Sequence, residues 1–430
     1  MSKIGFWSST SLVVGNMIGS GVFLLPASLA AFGGISIIGW IASSMGALLL
    51  AIVFGRLGRL APQTTGGPFA YTRIGLGDFP AFVVAWGYWI SIWCTNAAIA
   101  VAFVGYLEVF LPILGQSRLL SIFTGLGVIW LFTWINSKPL QTVALVQLIT
   151  TTLKVLPIFM VGLIGVFYIN VDFFTPLNIS GTSNFQAITA TTTLTLFAFL
   201  GMESASIPSE NTKNASSTIR LATLTGTMVA IILYIFSSIA IMGIIPPETL
   251  AVSSAPFADA AEIFWGDIAK YIIAGGALVA TLGALNGWIL IQGQIPMAAA
   301  HQNLFPRIFG KLNQNDSPFI GIVLSSLLAS FLMMLNYSKS LVDAFTFMMK
   351  LSTLSVLTPY LFSTMSMMLI YKRQDQLTAG KIALTVLTLL FCLWVIYGCG
   401  WETVLWGMGL LILGTPFYLK FRNEKVLHRS

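Results

Sequence analysis

Long apolar runs constrain this chain more than any other feature. Between polar breaks it offers twelve mostly apolar segments, at 7–32, 34–58, 80–111, 118–135, 140–169, 186–208, 217–245, 267–300, 317–336, 341–371, 380–398 and 402–420. A helix needs about 20 such residues to cross a bilayer. Only 8% of the residues are charged, against about 25% in a soluble domain, so a soluble globular fold is excluded. Backbone groups in lipid must be satisfied within their own segment, which makes the spans helices. The expected fold class is an all-α polytopic membrane protein: one transmembrane domain over residues 1–430, with twelve transmembrane helices. Residues 7–25 have the length of a signal peptide, but apolar segments continue to the C-terminus, so a first membrane helix is the better reading.

The charges orient the chain. Twelve spans put both termini on one side. With the N-terminus in the cytoplasm, Arg118, Lys270 and Lys339 fall outside, Lys154 and Lys350 fall within spans, and the other sixteen of the 21 Lys and Arg residues fall inside. That asymmetry is the positive-inside pattern, and it places both termini in the cytoplasm. The formal charge of +7 is therefore topology rather than a nucleic-acid surface. Cys94, Cys392 and Cys399 lie in apolar spans without metal-ligand or disulfide spacing, and His301 and His428 lie far apart in polar segments. No metal, cofactor or enzymatic triad is expected. The loops 170–185 and 246–266 are expected to carry short helices or a lid, and the Gly- and Pro-rich stretch 59–79 to be partly re-entrant.

The first span contains "VVGNMIGSGVFLLP" (13–26), a glycine-rich stretch where each glycine disfavours a helix by about 1 kcal/mol. Gly15 and Gly19 fit small-residue helix packing. They equally fit a discontinuous helix whose freed amides and dipole end face a ligand. The second reading requires a matching break in the other half of the chain. "TLFAFLGMESASIPSENT" (195–212) supplies one, with Gly201, Glu203, Ser204, Ser206, Pro208 and Ser209. Gly201 follows Gly19 by 182 residues, the separation expected of two repeats of five spans, about 7–169 and 186–371, with two added helices at about 380–420. The third and eighth spans are also both long, at matching places.

"GNMIGSGVFLLP" (15–26), "GGPFAY" (66–71), "FLGMESAS" (199–206), "SAPFADAA" (254–261), "GWILIQGQ" (287–294), "LFPRIFGKLN" (304–313) and "LTPYL" (357–361) together resemble the amino acid–polyamine–organocation (APC) superfamily over nearly the whole chain. Within it the chain is most similar to bacterial basic amino acid/polyamine antiporters of the arginine/agmatine and putrescine/ornithine exchanger type. The resemblance implies a LeuT-like 5+5 inverted repeat with broken helices 1 and 6, alternating access, and residence in the bacterial inner membrane. It implies an amino acid or amine substrate, and a homodimer is common among such proteins.

It also implies a site. The substrate carboxylate would dock on backbone amides at Ile18, Gly19, Ser20 and Gly21, with the Ser20 hydroxyl as an extra donor. The α-amino group would meet carbonyls near Phe197, Ala198 and Leu200. A zwitterion suits a helix N-terminus on one side and freed carbonyls on the other. Asn16, Tyr88, Ile92, Asn96, Trp288, Ser352 and Tyr360 match pocket or gate positions, with Trp288 and Tyr360 as gates. Asn96, polar inside a span, either contacts substrate or braces a neighbouring helix. Two positions depart from the family. Phe197 replaces a tryptophan, giving a weaker π-face and no hydrogen-bond donor. Phe69 replaces a tyrosine, which puts a pH-sensing role there in doubt.

Two ionisable residues remain deep in spans, where each is a functional hypothesis by default. Glu203 matches the family glutamate linked to proton-dependent release or recognition of a distal amine. Lys154, in "TTLKVLPIF", departs from the nearest antiporters and resembles proton-coupled amino acid transporters, where a fifth-helix lysine takes the place of sodium. The pair either couples to protons or neutralises itself as a brace. Exchange of cationic amino acids or amines is the leading expectation. Proton-coupled symport of neutral amino acids is the alternative, favoured by Lys154 and Phe197.

Overall fold

The computed structural model describes residues 5–61, 66–138, 157–206, 212–336 and 339–427, and the architecture is helix packed on helix. In chain order the helices of more than four residues are α1 (Phe6–Met17), α2 (Ser20–Ala30), α3 (Ser36–Leu60), α4 (Pro68–Leu76), α5 (Asp78–Glu108), α6 (Arg118–Asn136) and α7 (Pro157–Tyr168). There follow α8 (Asn184–Leu196), α9 (Ala215–Ile244), α10 (Pro256–Trp265), α11 (Asp267–His301), α12 (Phe319–Leu335), α13 (Leu341–Arg373), α14 (Ala379–Gly398) and α15 (Trp401–Leu427). Among the described residues ten segments are long and apolar enough to cross a membrane, counting α1 with α2 as one interrupted segment and α8 together with the turns that follow it to Ser206. α7 and α12 are shorter apolar helices, at the fifth and ninth apolar stretches of the sequence. Lys154 lies outside the described residues.

α5 is the axis of the molecule. It is buried along most of its length and packs most extensively against α13 and α11. Small side chains permit this: "NAAIAVA" (96–102) lines the helix, and without a hydrophobic difference between helix and lipid, close backbone approach drives association. Glycine serves the same end at Gly87, where a Cβ would come within 3.2 Å of the Ser355 carbonyl on α13. The periphery is the reverse. α15 exposes Leu405, Trp406, Met408, Ile412 and Leu413, the composition of a lipid-facing helix.

The third and eighth spans, α5 and α11, are both long. α5 has 31 residues and α11 has 35, but α9 with 30 and α13 with 33 are as long. At 1.5 Å per residue, 30 residues reach about 45 Å, past a hydrocarbon core of about 30 Å.

The connecting segments carry short helical elements. The stretch 246–266 forms a helical turn at Pro247–Leu250 and then α10, and the stretch 170–185 contains a 3₁₀ turn at Val171–Phe174. α10 is clasped to the core: the Tyr106 hydroxyl donates to the Phe23 carbonyl of α2 (2.8 Å) and accepts from the Phe257 amide (3.3 Å). In the stretch 59–79, Gly66 and Gly67 take positive φ and turn the chain into α4, whose Pro68–Thr72 segment is buried. Arg373 of α13 holds the far end of α4 by donating to the carbonyls of Ile74 and Gly75 at 2.9 and 3.0 Å.

Candidate functional site

The first apolar segment is broken midway. α1 ends at Met17, Ile18 (φ −73°, ψ 89°) and Gly19 (φ −136°, ψ −142°) leave the helical region, and α2 restarts at Ser20. No side chain caps the new N-terminus. Its first amides and the positive end of its dipole are left for a partner outside the helix. The Ser20 side chain lies outside what the structure describes.

The sixth segment breaks as well. α8 tightens into a 3₁₀ turn over Phe197–Phe199, Leu200 is extended (φ −61°, ψ 135°), Gly201 takes φ +100°, and a second 3₁₀ turn covers Met202–Ser206. Only glycine adopts that backbone cheaply. Pro208 and Ser209 fall outside the described residues.

These two breaks press on each other. A Cβ placed on Gly21 would lie 3.1 Å from the Phe197 ring and 3.3 Å from the Ala198 Cα, and one on Gly201 would lie 3.0 Å from the Asn16 Cβ. Asn16 is only 6% exposed, and its amide nitrogen has no hydrogen-bond partner among the described residues. An unsatisfied buried amide is expensive, and here it sits where the breaks meet. From the side, α11 brings Ala284 to within 3.0 Å of a Cβ on Gly19. One turn further along α11 is Trp288, buried in the core with Ile18, Ile92, Phe197, Ala198 and Leu200. Phe197 meets Phe345 of α13 edge-on, with ring centroids 6.1 Å apart.

Glu203 sits just past the second break and is 0% exposed. Its two carboxylate oxygens are taken by two phenols: Tyr88 of α5 donates to Oε1 at 2.7 Å, and Tyr360 of α13 donates to Oε2 at 3.0 Å. Bonds to an ionised acceptor are the strong class, so one carboxylate ties the broken helix to both central helices. The sequence marks all three residues as candidates but contains no signal that they touch, since 115 and 157 residues separate them from Glu203.

Two further sequence candidates join neighbouring helices. Asn96 donates to Gln292 Oε1 on α11 at 2.6 Å, and Gln292 donates in turn to the Ile322 carbonyl (3.0 Å) and Ser326 Oγ (2.8 Å) of α12. Of the two readings open from sequence, the bracing one describes this contact. Ser352 donates to the Ser91 carbonyl at 2.9 Å and lies 2.7 Å from the Thr95 hydroxyl, which seals α13 to α5. Gln292 was not singled out, although a glutamine one turn beyond Trp288 in an apolar helix was a visible signal. Phe69 is fully buried under Gly66. Among the described residues no three His, Cys, Asp or Glu gather as metal ligands.

A family model described as amino acid permease matches residues 4–415. The chain is 31% identical to a cadaverine/lysine antiporter of Escherichia coli over 99% of its own length and 96% of that protein. It is 29% identical to an arginine/ornithine antiporter of Pseudomonas aeruginosa, over 98% of this chain and 91% of the relative. It is also 29% identical to a putrescine transporter of Haemophilus influenzae, over 97% and 96%.

Proposed function

Because the chain belongs to the amino acid permease family, we propose that it exchanges cationic amino acids or related amines across the bacterial cytoplasmic membrane by alternating access. Both termini would lie in the cytoplasm, and two inverted five-span repeats, about 7–169 and 186–371, would rock around the breaks. The contact between the two breaks, with Glu203 held just behind it, is the observation that carries this reading.

The chemistry follows from the groups present. A substrate carboxylate is matched by the uncapped amides of Gly19, Ser20 and Gly21, whereas the Ile18 amide already donates to the Val14 carbonyl at 2.8 Å. An ammonium group is matched by carbonyls of Phe197, Ala198 and Leu200. The Asn16 amide adds a donor. Phe197 offers a π-face to a guanidinium or ammonium group, an interaction of about 0.5–2 kcal/mol. Trp288 and Ile92 form the wall, with Trp288 as gate. Asn96 and Ser352 act as braces that position α5, α11 and α13.

Glu203 supplies the negative charge. An ionised carboxylate accepts from both phenols, whereas a protonated one must itself donate. One of Tyr88 and Tyr360 then has to turn or let go. Proton binding and the Tyr360 gate are linked by that geometry, and substrate cation and proton compete for one charge. Any part played by Lys154 would be added to this. A homodimer belongs to the same reading and is tested by the mass of the detergent-solubilised particle.

Proteoliposomes loaded with unlabelled substrate are the direct test. Labelled arginine, ornithine, lysine or putrescine should enter loaded vesicles and not empty ones. Gradient-driven entry of leucine or serine into empty vesicles would overturn exchange in favour of proton symport.

A further inference from the structure

A cavity of about 780 Å³ opens at the base-rich end of the molecule, between the end of α3, the start of α9, the end of α13 and the start of α14. It shares no residue with the helix breaks. Its charged lining is entirely cationic: Arg56 and Arg59 from α3, Arg220 from α9 and Lys381 from α14. Among the described residues none of the four is in an ion pair; Arg73, Lys270 and their acidic partners lie elsewhere. The Nη1 atom of Arg56 is buried and has no hydrogen-bond partner among the described residues. Lys381 lies over the Tyr371 ring at 3.7 Å. Gly55 makes room for Arg220, since a Cβ there would sit 3.0 Å from the Arg220 Cγ.

Positive-inside topology requires only that basic residues lie on one side of the membrane. It does not require four of them to converge on one cavity, where like charges repel unless an anion sits among them. A cationic substrate is repelled from such a place. The remaining lining is mixed: Tyr371, Gln374 and Gln376 on the side of α13, and the apolar Ile52, Leu60 and Leu224 on the side of α3 and α9. Ile52 lies two turns beyond Met45 on α3, and Leu224 one turn before Met228 on α9. Both methionines are exposed on the outer face of the bundle, so the cavity continues into a surface fit for acyl chains.

We propose that this cavity is a binding site for the phosphate of an anionic phospholipid headgroup, with its acyl chains lying along the exposed faces of α3 and α9. Guanidinium groups suit phosphate oxygens through paired, charge-assisted bonds. Basic pockets between membrane helices recognise lipid headgroups in this manner. A lipid there would staple α3 and α9 to α13 and α14, so its presence should be felt in stability and not only in transport.

The full-length protein, stripped of lipid in an uncharged detergent, is titrated with phosphatidylglycerol, with phosphatidylcholine of the same chains, and with inorganic phosphate, while the thermal midpoint is followed. Phosphatidylglycerol should raise the midpoint at a concentration at least about tenfold lower than phosphatidylcholine, since each basic residue near an anionic headgroup contributes roughly a fivefold preference and two of the four already exceed that. Arg56→Gln combined with Arg220→Gln should abolish that selectivity. Lys372→Gln, at the same end but outside the cavity, should leave it intact. If the double variant does not fold, Arg59→Gln with Lys381→Gln is read in the same way. Equal response to the two lipids, or full selectivity in the cavity variant, overturns the proposal. Inorganic phosphate acting at the same concentration as phosphatidylglycerol overturns the lipid and leaves a soluble phosphate site.

Discussion

At Glu203 one carboxylate holds two phenols in the dry centre of the bundle. Glu203→Gln keeps the shape and removes the charge, and each hydrogen bond to a charged group contributes about 1.5–3 kcal/mol. Exchange of labelled ornithine or putrescine into loaded vesicles should fall by at least an order of magnitude, while the protein still elutes as a folded particle. Tyr360→Phe leaves Tyr88 in place and should weaken exchange less, with a change in its pH profile as the signature of a gate linked to the carboxyl. Gly201→Ala tests the second break directly. Its φ of +100° and the Asn16 Cβ at 3.0 Å leave no relaxed place for a methyl group, and strained backbone of this kind costs about 1–3 kcal/mol. Lower thermal stability and lost uptake should appear together in that variant. The candidates at the breaks were legible because glycine, asparagine and glutamate are out of place in lipid. Tyr88 and Tyr360 as joint partners of Glu203 were not, because a tyrosine in an apolar helix looks the same whether or not its hydroxyl has found a carboxylate.

Among the elements, α2 shows how the site is held. Its N-terminus has no cap of its own, and further along, the Phe23 carbonyl is anchored by Tyr106 of α5, which also receives the Phe257 amide of α10. Tyr106→Phe strips both bonds from a buried place, at a cost of about 1–3 kcal/mol, and should loosen α10. Hydrogen exchange at Phe257 and its neighbours is the measurement. The same clasp carries a pH dependence through Asp259 of α10. Burial pushes its carboxyl above the usual range, only partly offset by the Ser253 hydroxyl and Lys270. A raised acid favours the folded clasp while protonated and loses that contribution as pH rises through its folded value. Asp259→Asn should therefore make the hydrogen exchange of α10 less sensitive to pH across the acid range. The presence of a short helix such as α10 could be read from the length and composition of 246–266. Its attachment through Tyr106, 151 residues away, could not.

For the molecule as a whole, the apolar segments located every membrane helix among the described residues, because in lipid a helix is the only way for a lone segment to satisfy its backbone. The sequence alone also determined the family and the places where helices 1 and 6 would open, since glycine at those positions is costly without a use. Three things were decided only in the tertiary structure. Asn96 finds Gln292 and Ser352 finds Ser91, partners on other helices. Tyr88 and Tyr360 converge on Glu203 from two different helices. Four arginines and lysines, indistinguishable in sequence from the rest of the positive-inside set, came together around one cavity. The division has one physical cause. Burial in lipid acts on each segment separately and leaves its mark in composition, whereas hydrogen bonds and charge clusters form between segments far apart in the chain, and only packing determines which side chains meet.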